Sequence, residues 1–425
     1  MYLPEEDSLL LKESINYISS KNGLNNKLSL DLGCGSCFLT EELLKKGSNV
    51  VASDLDFQVF KENREFIEKL KNNAKEKNKK LFFINSNLLR PFNRVFDFVF
   101  FNPPYLVFDE KEKYYLDTTG GLKGYETTER FVEQLINSLK INGKAFLILS
   151  NYTLNKTINK IKKEGIFQIK VLKKKFLLFE TIYLAEIEYS NLMKKYKDYF
   201  NKNYKEKFKF FSKGKNSIIL EKLKSGWLLK LHEKNYREYF YLNYIKNNLK
   251  IWKLFIPDFY YEDNILFIKE IKGFDLSILN KEIEKIKEKE FPEYKLKSKL
   301  KLKYKILLKS LLITYLLDKI KIDKFEMNHP EKHILFDKDN RRVFFIDFEK
   351  AKLSNKPKNT TQLVSFILKE IKKDFYHKNK SKDKEIKNKV IEKLRKYKKE
   401  QNLSNLKVII KEIKEIIEKE LKNLD

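Results

Sequence analysis

Asn102-Pro103-Pro104-Tyr105 follows directly on the apolar run Phe96-Asp97-Phe98-Val99-Phe100-Phe101. Such a run, stopped by two prolines, reads as a buried strand that ends where open α/β sheets hold their ligands. The prolines stiffen the backbone and remove two N–H donors. What is left is a fixed cluster of acceptors: the Asn102 side-chain oxygen, the Pro103 carbonyl and neighbouring carbonyls. That cluster suits a planar nitrogen group bearing two hydrogens, because both can be accepted at once, and Tyr105 adds an aromatic face to stack on the plane. The chemistry served would be substitution at a weakly nucleophilic nitrogen, whose developing positive charge fixed acceptors relieve.

A second set lies upstream. Leu28-Ser29-Leu30-Asp31-Leu32-Gly33-Cys34-Gly35-Ser36 reads as a strand, a tight Gly-x-Gly turn and the start of a helix, with Gly33 and Gly35 letting a ligand approach the backbone. Val50-Val51-Ala52-Ser53-Asp54 ends another strand in a carboxylate that can accept from both hydroxyls of a ribose.

The elements that must position these residues follow from periodicity. Helical spacing is expected over 9–20, 36–46, 57–73, 126–141 and 152–164, and strands over 28–32, 50–54, 81–84, 97–101, 144–150, 166–171 and 181–187. This alternation predicts a mostly parallel sheet with helices on both faces.

Over residues 1–190 the ordered motifs resemble the S-adenosylmethionine-dependent methyltransferases, specifically the release factor glutamine methyltransferases of the HemK-like archaeal and eukaryotic branch. Tyr2-Leu3-Pro4-Glu5-Glu6-Asp7-Ser8 is similar to that family's opening motif, and Gly120-Gly121 with Gly124 follow Asn102-Pro-Pro-Tyr at the family's distance. The resemblance implies a class I Rossmann-like domain with a seven-stranded sheet and one reversed strand. It implies S-adenosylmethionine as cofactor, Asp31 near its amino group, Gly33 and Gly35 bordering it, Asp54 on its ribose, Asn87 facing the adenine, and Glu6 and Asp7 closing the site. Asn102, Pro103 and Tyr105 would be catalytic, and the methyl acceptor would be the Gln of a release factor's Gly-Gly-Gln loop. A small zinc-binding activator subunit is the partner implied. Similar Asn-Pro-Pro-aromatic motifs also serve adenine N6 or guanine N2 methylation, so RNA or DNA is the alternative acceptor.

Residues 189–208 are Lys/Tyr-rich without clear period, and 191–208 reads as a linker. Beyond it Gly214 precedes two alternating strands, Lys230 lies in the second, Glu238 follows on a helical stretch, and a later strand ends at Asp347-Phe348-Glu349. A glycine loop, a strand lysine held by a glutamate and a strand-end acid for Mg²⁺ are what phosphoryl transfer from ATP requires. Over 209–375 the set resembles the small atypical kinases of archaea related to the RIO and Kae1-associated groups. Two segments, His329-Pro330-Glu331-Lys332-His333-Ile334-Leu335 and Asn359-Thr360-Thr361-Gln362, carry that resemblance. It departs from the family in having one loop glycine, in offering Glu326 where a catalytic Asp is usual, and in placing His333 where Asn commonly binds the second metal. The fold expected is therefore α/β for the first domain and an α+β protein-kinase-like domain for the second. The implied ligands of the latter are ATP and Mg²⁺, with Asp347 holding the metal, and phosphate transfer is a rival for the main activity. Residues 376–425 read as a basic helical tail, with Leu406, Ile409, Ile413, Ile416, Ile417 and Leu421 at helical spacing to cap that domain.

The net charge of +30 is uneven. Residues 1–190 hold 29 Lys and Arg against 25 Asp and Glu, so +26 falls on 191–425. That asymmetry suggests contact with RNA, ribosomes or another polyanion, or a compositional bias toward Lys. The two cysteines, Cys34 and Cys37, both lie in the glycine turn, which excludes a disulfide framework and a four-ligand zinc set. An acidic N-terminus argues against a signal peptide, the apolar run at 311–317 is too short for a bilayer, and a cytoplasmic location is expected.

Overall fold

Seven strands pair into one sheet: β1 (Leu28–Leu32), β2 (Asn49–Asp54), β3 (Leu81–Asn85), β4 (Phe96–Phe101), β5 (Leu139–Ser150), β6 (Phe167–Phe176) and β7 (Thr181–Tyr189). The computed structural model describes residues 5–21, 23–107, 119–178, 180–288, 292–375 and 380–424, and Tyr2-Leu3-Pro4 of the opening motif lies outside them. The strand order is β3-β2-β1-β4-β5-β7-β6. The first five run parallel, while β7 is antiparallel to both β5 and β6. The chain leaves β3 at one edge and re-enters at β4, beyond β1, so β1 and β4 flank the point where strand order reverses. In such sheets that crevice is where ligands bind.

The chain falls into two compact units, Met1–Glu233 with Glu262–Ile265, and Lys234–Tyr261 with Leu266–Asp425. In the first, helix Glu6–Ser19 lays Leu10, Leu11, Ile15 and Ile18 into a core shared with Leu43, Val50, Ala52, Phe100, Phe146 and Ile148.

Three stretches differ from the sequence expectation. The helix expected over 126–141 ends at Leu135, and Leu139 opens β5 opposite Phe96. Asn137 explains the stop: its side-chain amide exchanges two hydrogen bonds with the Phe208 backbone, at 2.8 and 2.9 Å, holding it out of a helix. The helix over 57–73 is two, Gln58–Glu62 and Arg64–Glu76, broken at Asn63.

The stretch 191–208 is not a linker. It forms helices Asn191–Lys194 and Lys197–Lys202 with Met193, Tyr196, Tyr199 and Phe200 buried. The cause is Arg94, itself buried, whose guanidinium donates to the Ile136, Phe200 and Asn203 carbonyls and lies over the rings of Phe200 and Phe208. A buried cation must be surrounded by acceptors and ring faces, and the 191–208 segment supplies them. Accordingly, the antiparallel strands Phe208–Lys213, Ser217–Lys222 and Trp227–His232 belong to the first unit, and the division comes at 233/234 rather than 209.

The second unit is built on helix Glu293–Lys319, with Leu300, Tyr304, Leu307, Leu311 and Leu317 buried. Helices Asn359–Phe375, Lys380–Lys399 and Leu403–Lys422 pack in the same core, to which the last gives Leu406, Ile409, Ile413, Ile417 and Leu421. Strands Gly273–Asp275, Ile334–Asp337 and Arg342–Phe345 form a small antiparallel sheet. Asn359-Thr360 is structural. Asp318 accepts from the Asn359 and Thr360 backbone N–H groups and the Asn359 amide, and Asn359 Oδ1 accepts from Lys324 N. No helix among the described residues is long and apolar enough to cross a membrane.

Candidate active site

Leu32 of β1 stands level with Phe101 of β4, so Gly33 and Asn102 leave neighbouring parallel strands side by side. Strands in such a pair lie about 4.8 Å apart. The glycine turn and the Asn-Pro-Pro segment therefore face one crevice at the sheet's carboxyl edge.

The turn is made by backbone. Gly33 has φ +67° and Gly35 φ +47°, a region costly for residues with a Cβ, and Ser53 O accepts from Gly33 N at 2.7 Å and Cys34 N at 3.0 Å. Asp54, at the end of β2, receives Gly35 N on Oδ2 and Asp56 N on Oδ1, both at 3.0 Å. Burial raises its carboxyl above the usual range, against these two N–H donors. Each carboxylate oxygen has a second lone pair, so two hydroxyls can still be accepted. Asn87 is half-buried just after β3, whose end Asn85 ties to the Asp54 and Leu55 carbonyls.

Asp31 is fully buried. Burial pushes its carboxyl up to about 6, although Thr40 Oγ1 donates to Oδ2 at 2.6 Å. A carboxylate kept out of water beside a glycine turn is a place for a cationic ligand group, which would restore its charge.

Asn102 shows the most informative geometry. Its Nδ2 donates to Asp7 Oδ2 at 2.9 Å, and Asp7 Oδ1 receives Ser8 N. A carboxylate only accepts, so this contact fixes which end of the amide is nitrogen. The opposite end, Oδ1, is buried with no hydrogen-bond partner. Buried acceptors left unpaired are uncommon and call for an explanation, such as a donor brought by a ligand.

Pro103 is buried and Tyr105 half-buried, its hydroxyl donating to Glu180 Oε1 at 3.2 Å. Burial raises both the phenol and the Glu180 carboxyl above their ordinary values. A Cβ on Gly120 would fall 2.2 Å from Gly124 O and 2.7 Å from Pro104 O, and one on Gly124 2.8 Å from Tyr105 O. The two glycines thus let the following segment lie directly against the Pro104-Tyr105 backbone. Glu6 stands elsewhere: it is exposed and ion-paired with Lys175, while its neighbour Asp7 turns inward to Asn102.

Thr40 and Glu180 were not found from sequence. Thr40 lies where a residue in the helix after the turn can reach back to Asp31, a signal that could have been used. Glu180 is 75 positions from Tyr105 and carries none.

Of the kinase-like set, Gly214 and Lys230 fall in the first unit and Glu238, Glu326, His333 and Asp347 in the second. Gly214 occupies a hairpin turn, its N–H donating to Ser217 O at 2.9 Å, and Lys230 is buried in its strand. In the second unit, buried Glu238 accepts from Phe348 N at 3.0 Å, next to Asp347. Glu326, His333 and Asp347 come together, with one ligand atom from each inside a 4.8 Å span. Burial, then the charge of Lys324, lowers His333 to about 4, so its ring is neutral at pH 7.

A family model for the methyltransferase small domain matches residues 15–178. A protein of Methanocaldococcus jannaschii, described as a "putative protein N5-glutamine methyltransferase", is 32% identical over 188 residues, which are 43% of this chain and 88% of that one. Among solved structures, the E. cuniculi Mtq2–Trm112 complex, described as responsible for the methylation of the eRF1 translation termination factor, is similar at 26% identity over 44% of this chain and 98% of that chain, with a TM-score of 0.33. The T. thermophilus 16S rRNA N2 G1207 methyltransferase is similar at 22% identity over 44% of each chain, with a TM-score of 0.31. With its class I sheet, its glycine turn and 88% of a relative covered at 32% identity, the chain belongs to the S-adenosylmethionine-dependent methyltransferases of the methyltransferase small-domain family.

Proposed function

We propose that the first unit methylates the side-chain nitrogen of a glutamine, in the Gly-Gly-Gln loop of a peptide-chain release factor. The observation that carries this reading is Asn102 Oδ1, a buried acceptor without a donor, locked in direction by Asp7 beside the glycine turn. The description of the M. jannaschii relative supports it. S-adenosylmethionine, when bound, supplies an electrophilic methyl group.

The chain's own residues prepare the acceptor. A glutamine amide is a weak nucleophile because its lone pair is delocalised into the carbonyl. Asn102 Oδ1 and the Pro103 carbonyl would accept its two N–H groups, and Tyr105, anchored by Glu180, would hold its plane. These acceptors would stabilise the positive charge that grows on nitrogen as the methyl group leaves the cofactor's sulfonium, whose sulfur would depart as a neutral thioether. The methylated nitrogen would then lose one proton to solvent. Alignment alone contributes about 7–11 kcal/mol. Asp31 would pair with the cofactor's ammonium, Asp54 with its ribose, and Asn87 with its adenine. A small zinc-binding activator subunit belongs to the same reading and would appear on co-purification.

The test is transfer of labelled methyl groups to release factor and to ribosomal RNA. Label on the release factor, lost when its Gly-Gly-Gln glutamine is changed to alanine, is expected. Label confined to RNA would instead favour nucleic-acid methylation, which the +26 charge of residues 191–425 also suits.

For the second unit we propose a kinase-like nucleotide site, on the strength of Glu238 bracing the Asp347-Phe348 turn. ATP and Mg²⁺ would be its ligands. Phosphate transfer from labelled ATP should fall at least about 100-fold in Asp347→Ala; equal transfer by both proteins would dismiss the idea.

A further inference from the structure

We propose that the second unit carries a docking cleft for an acidic peptide, a segment of another protein in which hydrophobic side chains are flanked by Asp and Glu. The cleft measures about 400 Å³, within the range of ligand-binding clefts, and every residue lining it falls in Leu266–Asp425. Strands Gly273–Asp275 and Ile334–Asp337 place Phe274 opposite Phe336, with ring centroids 5.7 Å apart. Helix Leu276–Glu288 adds Ile278, which is 46% exposed, and helix Glu293–Lys319 adds half-buried Leu302. These four side chains offer an apolar surface that a hydrocarbon side chain can cover.

Cations surround that surface. Lys305, Lys309, Lys338 and Arg341 line the cleft, together with Lys299, whose charge Glu282 neutralises at 2.6 Å. Among the described residues, no carboxylate is paired with the other four. Lys309 Nζ instead donates to the Arg341 carbonyl at 3.0 Å, and Lys338 Nζ lies 5.2 Å from the centre of the Phe274 ring. Asp337 is spent on its own turn, where it accepts from Asp339 N, Asn340 N and the Asn340 amide. An abundance of lysine does not account for this pattern. Lys301, Lys305 and Lys309 recur every four residues as exposed side chains of one helix, a spacing at which like charges destabilise it. Elsewhere in the unit the same spacing matches lysine with glutamate, as in Lys389 with Glu385, Lys411 with Glu415 and Lys414 with Glu418. An anionic partner seated on the cleft would offset the repulsion.

Hydrogen bonding selects the occupant. A nucleic-acid base set against Phe274 and Phe336 would bring N–H donors, yet the one side-chain acceptor lining the cleft, Glu282, is taken by Lys299. A leucine or phenylalanine side chain brings no polar group to satisfy, while carboxylates on either side of it can reach the surrounding cations. The cleft belongs to the second unit alone, so the proposal stands whether or not either unit transfers methyl or phosphoryl groups.

The test is fluorescence anisotropy of the full chain with a fluorescein-labelled peptide, Glu-Asp-Glu-Leu-Phe-Glu-Asp-Glu, at about 150 mM salt. The same peptide with two serines in place of Leu-Phe should bind at least about tenfold more weakly, because its anchors no longer leave water. Lys305→Glu with Arg341→Glu should weaken the Leu-Phe peptide at least about tenfold, and Ile278→Glu by about as much. Lys411→Glu with Lys414→Glu, the same change of charge on the last helix, should leave binding within about twofold. Every side chain substituted is exposed. Equal binding of the two peptides, cleft variants that bind like the parent, or no binding at millimolar peptide would each overturn the proposal. Oligouridylate of matched charge, bound more tightly than the peptide and lost in the same variants, would make this a nucleic-acid site instead. A dimer in sedimentation that those variants dissociate would make the occupant a second copy of the chain, and either result overturns the peptide.

Discussion

Replacing Asn102 with alanine is expected to lower the rate of methyl transfer by about 10²–10³-fold while leaving cofactor affinity within about threefold. The separation follows from what each group touches. Asp31, Asp54 and the Gly33–Gly35 turn hold the cofactor side of the crevice through backbone and carboxylate contacts in which Asn102 takes no part. Asn102 instead contributes one acceptor, Oδ1, which is unpaired until a donor arrives. Its loss is therefore felt where charge develops on the acceptor nitrogen, in kcat. Asp7→Asn gives an internal control. It removes the obligatory acceptor at 2.9 Å, so the Asn102 amide can turn its nitrogen toward the acceptor instead. A fall of about tenfold, smaller than that of Asn102→Ala, is expected. Single-turnover transfer and calorimetric cofactor binding would check both variants. An Asn102→Ala enzyme within tenfold of the parent rate would remove Oδ1 from the reaction.

How much of this site could be read from sequence depends on how local its causes are. The strand ends carrying Gly33, Asp54 and Asn102 were legible because glycine, proline and apolar runs act within a few residues. Their meeting at one crevice follows from βαβ alternation, which fixes the switch point between β1 and β4. The tail helix was legible for the same reason, as its apolar period states which face must be covered. The long-range pairs were not. Nothing in the chain marks Asp7 as the partner of a residue 95 positions away, or Glu180 as that of Tyr105. The 191–208 stretch misled because its lysines and tyrosines lack period. Its fold is set by a single buried arginine about a hundred residues upstream. Asn137 ended a helix that its apolar spacing would have continued, because its amide was claimed by Phe208.

Asp31→Asn should stabilise the cofactor-free first unit while weakening cofactor binding by at least about 100-fold. Burial raises the Asp31 carboxyl to about 6, above the value near 3.8 of an unfolded chain, so the folded protein binds this proton more tightly than the unfolded one. The sign follows: the group's contribution to stability is fully present below about pH 4 and is lost as pH rises through about 6. Two pKa units correspond to about 3 kcal/mol by pH 7, an upper figure for a buried group. Asparagine carries no charge to desolvate and can still accept from Thr40 Oγ1, so thermal melts at pH 7.5 should favour the variant, with the gap shrinking as pH approaches 4. Binding behaves in the opposite way, because a cationic ligand group needs the charge that folding disfavours. In the parent protein the cofactor's dissociation constant should rise about tenfold per pH unit below 6, with proton release on binding in that range. The variant should bind weakly at every pH with no such slope. A flat affinity profile from pH 5 to 8 in the parent, or unchanged affinity in the variant, would mean that Asp31 only braces the turn through Thr40 and that the ammonium is held elsewhere.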